Sequence, residues 1–407
     1  EDNGDVFYLG GEDEGWRAES QWLWLALPDE DEVDRNGVNF CDDDSACSVH
    51  CDEEGWYYFG SNGKMYKEAA KKKVNGKYYF FNAHGQMLYE WINNQKYRVS
   101  SSSDLVSGNG YTAPGAASSS NGILDDNANY QGSSQIWNMQ YSNVVEDGSR
   151  ANGWYEIDGS ADTGEDGDTD WYYFDDGEAE RADAGKDFVT VDGDGADVFR
   201  AKIKINGKYF CFNEMGQMQT GLQYIGADHA FYFFDENGYM QDGKVSDVEC
   251  DDDTYNFYFN TKNGSNGQGY TGEKDNYLYF NGKRLEADDD YRLYYLNGDI
   301  YLVNNKGKIQ SSKSDNKKFD LENKGIAEED VNVQFTGKKV KSVKLENGTE
   351  YSAEELIKDA EDIIKSADFD PSEDYIVSIP FIQLYDDDQF TYKNVGGTII
   401  EDWRGLN

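Results

Sequence analysis

Apolar positions along this chain do not follow a helical period over most of its length. They arrive as aromatic runs: Trp56 to Phe59, Tyr78 to Phe81, Trp171 to Phe174 and Phe231 to Phe234, each followed within a few residues by a Gly-bearing polar segment. Such runs have high β-propensity, and alternate members of a strand point to opposite faces. The Asn-Gly or Asx-x-x-Gly that follows supplies the positive φ of a tight turn, after which a short return strand is expected to begin at Met or Gln. Each run with its turn therefore reads as a β-hairpin.

The runs repeat. GWYYFGSNGKM (55–65), NGKYYFFNAHGQM (75–87), NGKYFCFNEMGQM (206–218) and FYFFDENGYM (231–240) share one plan, and Trp56 to Tyr78, Gly63 to Gly85 and Gly216 to Gly238 are each 22 residues apart. A lone two-stranded hairpin is marginal in water, so such units persist by stacking aromatic faces on their neighbours. A longer duplication lies above this period, because EDEGWRAESQW (12–22) resembles EDGSRANGW (146–154) and each leads to a WYYF strand. We expect a first repeat unit over residues 1–98, a Ser/Gly-rich linker or loop over 99–136, a second unit over 137–243 and divergent aromatic hairpins over 244–311.

From 312 to 407 the pattern changes. Ser352 and Glu355 form a capping box, and Leu356, Ala360, Ile363 and Ile364 then fall on one helical face. With VNVQFTG, KSVKLENG and YIVSIPFIQLY around it, this stretch reads as a small α+β module. The predicted fold class is mainly β: a tandem β-hairpin repeat solenoid with a small C-terminal α+β module.

Charge narrows the partners. Asp and Glu number 80 against 37 Lys and Arg, a formal net charge of -43. Such a chain repels nucleic acid and anionic lipid, and leaves neutral glycans and metal ions open. No run approaches the length of a transmembrane segment, and the first residues carry no charged-then-apolar signal pattern. Cys41, Cys47 and Cys51 crowd one acidic stretch while Cys211 and Cys250 stand apart, which leaves a disulfide, free thiols or a Cys/His50 metal site open.

These motifs resemble the cell-wall-binding repeats of Gram-positive surface proteins, choline-binding-like and glucan-binding, over about two thirds of the chain. The shared elements are Gly-Trp, Asn-Gly-Lys, an aromatic triplet, Asx-x-x-Gly and Met. The resemblance implies an extracellular protein, held at the cell surface or cell wall, that binds envelope or other glycans without catalysis. In choline-binding members a Trp four residues after Met helps cage a quaternary ammonium. Trp91 stands in that place after Met87, whereas Leu222 and Lys244 follow Met218 and Met240.

Most repeat aromatics are expected to form the hydrophobic spine. The candidate ligand-binding residues are Trp56, Tyr78, Trp91, Trp154, Trp171 and Tyr209. Asp166, Asp168 and Asp170 alternate as in calcium loops, but Trp171 replaces the Gly an EF-hand needs, so a solvated acidic loop is the competing reading. No cofactor is required, and calcium is the ion these loops would take. GQGYTG (267–272) spells GxGxxG without a βαβ context, the three histidines are scattered, and no GxSxG, HExxH or P-loop occurs, so no enzyme is expected. Two readings remain: a glycan-binding module, or a structural spacer or interaction scaffold that docks a surface protein.

Overall fold

The computed structural model describes residues 5–11, 14–26, 53–82, 84–92, 140–158, 169–182, 188–190, 197–213, 216–225, 228, 230–250, 253–261, 266–287, 290–311, 318–320, 330–366, 375–378 and 392–394. The expected linker and the Cys41 to Cys51 cluster lie outside them. Small antiparallel sheets dominate, and a single helix is present among the described residues. The chain divides into two compact units, Glu1–Gly185 with Glu214–Met218, and Lys186–Asn213 with Gln219–Asn407.

In the first unit, Gln21–Ala26 pairs with Glu54–Phe59, and Ala69–Val74, Lys77–Phe81 and Met87–Leu88 form a three-stranded sheet. Glu90–Ile92 pairs with Gln140–Ser142, and Gly153–Asp158, Thr169–Asp175 and Glu178–Ala179 form a second three-stranded sheet. The repeat is richer than the sequence suggests. Asn75 and Gly76, at φ of 49° and 92°, turn the lysine-bearing strand Ala69–Val74 into the aromatic strand, so this Asn-Gly precedes the aromatic run. The turn after the run is held by buried Asn82, whose Oδ1 accepts from the backbone N–H groups of His84 (3.0 Å) and Gln86 (2.9 Å).

Backbone and side chains together stack the hairpins. Met65 N–H donates to Val6 O at 2.9 Å, and Arg150 N–H, in the return position of its own hairpin, donates to Tyr78 O at 2.9 Å. Met65 lies on Gly85, where an added Cβ would stand 2.7 Å from its Sδ at a φ of +91°. Glycine is required there both by conformation and by this close approach.

In the second unit, Ala201–Ile205 pairs with Lys208–Phe212, Gly221–Ile225 with Ala230–Phe234, and a five-stranded sheet follows over 243–284. The hairpin Tyr291–Leu296/Asp299–Asn304 serves two cores by simple alternation. Tyr294, Leu296, Tyr301 and Val303 face the aromatic cluster with Phe257, Phe259 and Phe280, while Leu293, Ile300 and Leu302 face Phe319, Val331, Val343, Leu356 and Ala360. The C-terminal strand Tyr375–Ser378 also pairs with Tyr291–Leu296. Residues after 312 thus share a core with the last aromatic hairpin. The helix Ala353–Ser366 begins at the expected capping box, with Ser352 N–H donating to Glu355 Oε2 at 2.8 Å and Glu355 N–H to Ser352 Oγ at 3.3 Å. No helix of the described residues is long and apolar enough to cross a membrane.

Candidate functional site

The hairpin Gly153–Asp158/Thr169–Asp175 buries one face and leaves the other open. Its register places Tyr155 opposite Tyr172 and Ile157 opposite Asp170 on one side, and Trp154 opposite Tyr173 and Glu156 opposite Trp171 on the other. Ile157, Tyr172 and Phe174 build a core with Trp91, Tyr141 and Ala151. The outer side is an aromatic platform. Trp154 and Tyr173 meet edge-to-face at 5.2 Å, and Trp171 is 41% exposed beside exposed Glu156. A flat indole at the surface, flanked by a second aromatic pair, suits the apolar face of a sugar ring.

The other candidates are placed differently. Trp91 is only 4% exposed and packs edge-to-face against Tyr141 (5.0 Å), Tyr172 (5.4 Å) and Phe174 (5.7 Å). Its role is to fill the core, which corrects its assignment as a ligand surface: the ring the resemblance places in a cage is covered by its own neighbours. Trp56 is half-buried, pairs with Trp24 at 5.4 Å and packs on the cluster of Tyr58, Tyr79 and Phe81.

Tyr78 and Tyr209 already carry cations. Lys71 and Lys73 stand 4.9 and 5.4 Å from the Tyr78 ring, and Lys202 and Lys204 stand 5.7 and 5.4 Å from Tyr209. These lysines come from the strand paired with each aromatic strand, so the hairpin itself supplies them.

Of the proposed calcium ligands, Asp166 and Asp168 lie outside the described residues. Asp170 points to the inner face and its Oδ2 accepts from Gln217 Nε2 at 2.7 Å. Among the described residues no group of three or more His, Cys, Asp or Glu is placed to hold a metal ion. Cys211 is fully buried.

Sequence reasoning missed Trp24, which is 43% exposed with its Nε1 donating to Glu54 Oε2 at 3.0 Å. The signal was the alternation of Trp22 and Trp24, which puts both indoles on one strand face.

No family model matches the chain. No curated protein matches it significantly. Among solved structures it is similar to choline binding protein F of Streptococcus pneumoniae in the presence of a peptidoglycan analogue, at 18% identity over 79% of this chain and 89% of that one, with a TM-score of 0.27. It is also similar to CbpJ of Streptococcus pneumoniae, at 18% identity, 76% and 91% coverage and a TM-score of 0.25. A third similarity is to the modular autolysin LytC of the same organism, at 15% identity over 82% of this chain and 52% of that one, with a TM-score of 0.28. The chain thus spans about half the length of that autolysin.

Proposed function

We propose that this chain is a non-catalytic glycan-binding protein of the cell surface, which holds sugar rings on the outer face of the hairpin Gly153–Asp158/Thr169–Asp175. The observation that carries the reading is the division of labour within that hairpin. Its inner aromatics are buried to 1% exposure at Tyr172 and Phe174, while Trp171, one and three residues away, remains at the surface. Trp171 shares its strand face with the Trp154–Tyr173 pair, and a contiguous aromatic patch of this kind fits contact with a ligand.

The repeat motif makes cell-wall glycan the first ligand to try, and the strongly negative charge favours uncharged or cationic sugars over phosphate-bearing polymers. The test is affinity electrophoresis of the intact chain through gels containing solubilised cell-wall glycan or neutral glucan. Retardation that falls in Trp171→Ala supports the reading. Migration unchanged in every gel would contradict it and leave the repeats as a spacer or scaffold.

A further inference from the structure

The molecule contains its own model of how an aromatic ring and a carboxylate are satisfied. Lys202 Nζ stands 3.9 Å from the centre of the Tyr232 ring and 2.6 Å from Asp228 Oδ2, and the Tyr232 hydroxyl donates to the same oxygen at 2.7 Å. Ring, ammonium and carboxylate form one closed set. The pairing of ring with ammonium recurs where Lys72 covers Tyr66, Lys208 covers Tyr239 and Lys283 covers Tyr255, at 4.2, 3.4 and 3.9 Å.

Trp171 and Glu156 repeat two thirds of that set. They face each other across the strand pair, both exposed, and among the described residues neither has a cation within reach. Elsewhere in the same unit Asp176 is answered by Arg150 at 3.0 Å and by Lys71, and Asp147 by Lys77 at 2.8 Å. The missing third is an ammonium.

Resting on the glycan-binding reading above, we propose that this face selects sugars bearing a free primary amine, such as glucosamine units. The ring stacks on Trp171 and the amine sits against Glu156. Directly opposed residues in an antiparallel pair have Cβ atoms about 4.5–5.5 Å apart, so an amine on the sugar ring itself, without a tether, spans from the stacked ring to the carboxylate. Acetylation removes the charge and leaves the stacking.

The experiment is isothermal titration of the intact chain with a fully deacetylated glucosamine tetramer and with its N-acetylated counterpart, at matched ionic strength and a pH that keeps the amine protonated. The wild-type chain is expected to bind the deacetylated tetramer up to about fivefold more tightly, the worth of an exposed ion pair. Glu156→Gln should bring the two affinities together while leaving the N-acetylated tetramer unaffected. Glu146→Gln, which removes the same charge away from the platform, should preserve the preference. Trp171→Ala should weaken both ligands.

Equal binding of the two tetramers through Trp171 would overturn this inference and leave the stacking reading standing. A preference that survives Glu156→Gln, or falls equally in Glu146→Gln, would assign it to the general negative field and likewise overturn it. Binding of neither tetramer would overturn both.

Discussion

The two WYYF strands of the first unit have the same four residues in the same order, yet they meet different fates. In Glu54–Phe59, Tyr57 and Phe59 pack with Ala18, Met65, Leu23 and Leu25, while on the other side Tyr58 joins Trp22, Tyr79 and Phe81 and Trp56 is half-buried. In Thr169–Asp175 the inner pair Tyr172 and Phe174 is buried, and the outer Trp171 reaches solvent. The partner strand makes the difference. Trp56 lies opposite Trp24, an indole that extends the apolar face, whereas Trp171 lies opposite Glu156, which keeps that face wet. An aromatic run therefore specifies a strand, and the residues across from it decide whether its outer face becomes core or surface.

The largest expected effect would establish the inner face as core. Trp91→Ala should cost about 3–5 kcal/mol in chemical denaturation, as deletion of a buried indole does. A loss under about 1 kcal/mol would mean that the cluster of Tyr141, Tyr172 and Phe174 does not depend on it.

Next come the two outer faces. Trp22→Ala should cost about 2–3 kcal/mol of stability, because Trp22 lies 4.9 Å from Tyr79 and 5.0 Å from Tyr58. Trp171→Ala should leave stability within about 0.5–1 kcal/mol and instead weaken glycan binding by about 1–2 kcal/mol, or 5- to 30-fold. Equal destabilisation by the two variants would erase the contrast between the faces.

The smallest effect concerns pH. Burial works to raise the Asp147 and Asp176 carboxyls, but hydrogen bonds and charge from Lys77 and Ser149 at the first, and from Lys71 and Arg150 at the second, outweigh it and hold both below the usual carboxylate range. A carboxyl whose folded pKa is depressed stabilises the fold above its unfolded pKa of about 3.9, and that stability is lost as pH falls through the folded value. These partly exposed pairs should each contribute about 0.2–1 kcal/mol. In Asp147→Asn the decline of denaturation midpoint on acidification should be shallower than in the wild type, and an unchanged slope would remove Asp147 from the account.

Local features were legible in the sequence because their causes are local. The Asx turn at Asn82, the hairpin period and the capping box at Ser352 all follow from residues within a few positions of one another, whereas Asn75-Gly76 turns the chain into the aromatic run and not, as expected, out of it. The lysine strand Ala69–Val74 was not legible, since Lys71 to Lys73 lower β-propensity and only pairing with Lys77–Phe81 makes it a strand.

Nor was the burial of Trp91, which depends on its partner Tyr141 far along the chain. A slip of one residue in that register would turn the indole to the opposite face. The platform was half legible: Trp154 and Trp171 were visible as indoles, but the exposed carboxylate of Glu156 beside them emerges only from the strand register. The pairing of Tyr375–Ser378 with Tyr291–Leu296 is likewise non-local, and it explains why the last hairpin and the α+β segment share a core.

The central claim is that one face of one hairpin binds sugar while the other holds the fold together. Fluorine NMR of the intact chain labelled with 5-fluorotryptophan, each resonance assigned by single Trp→Phe substitution and followed during titration with soluble cell-wall glycan, tests it most directly. The account predicts saturable shifts at Trp171 and Trp154 with Trp91 unmoved. Shifts confined to other tryptophans, with Trp171 and Trp154 constant at saturation, would contradict it.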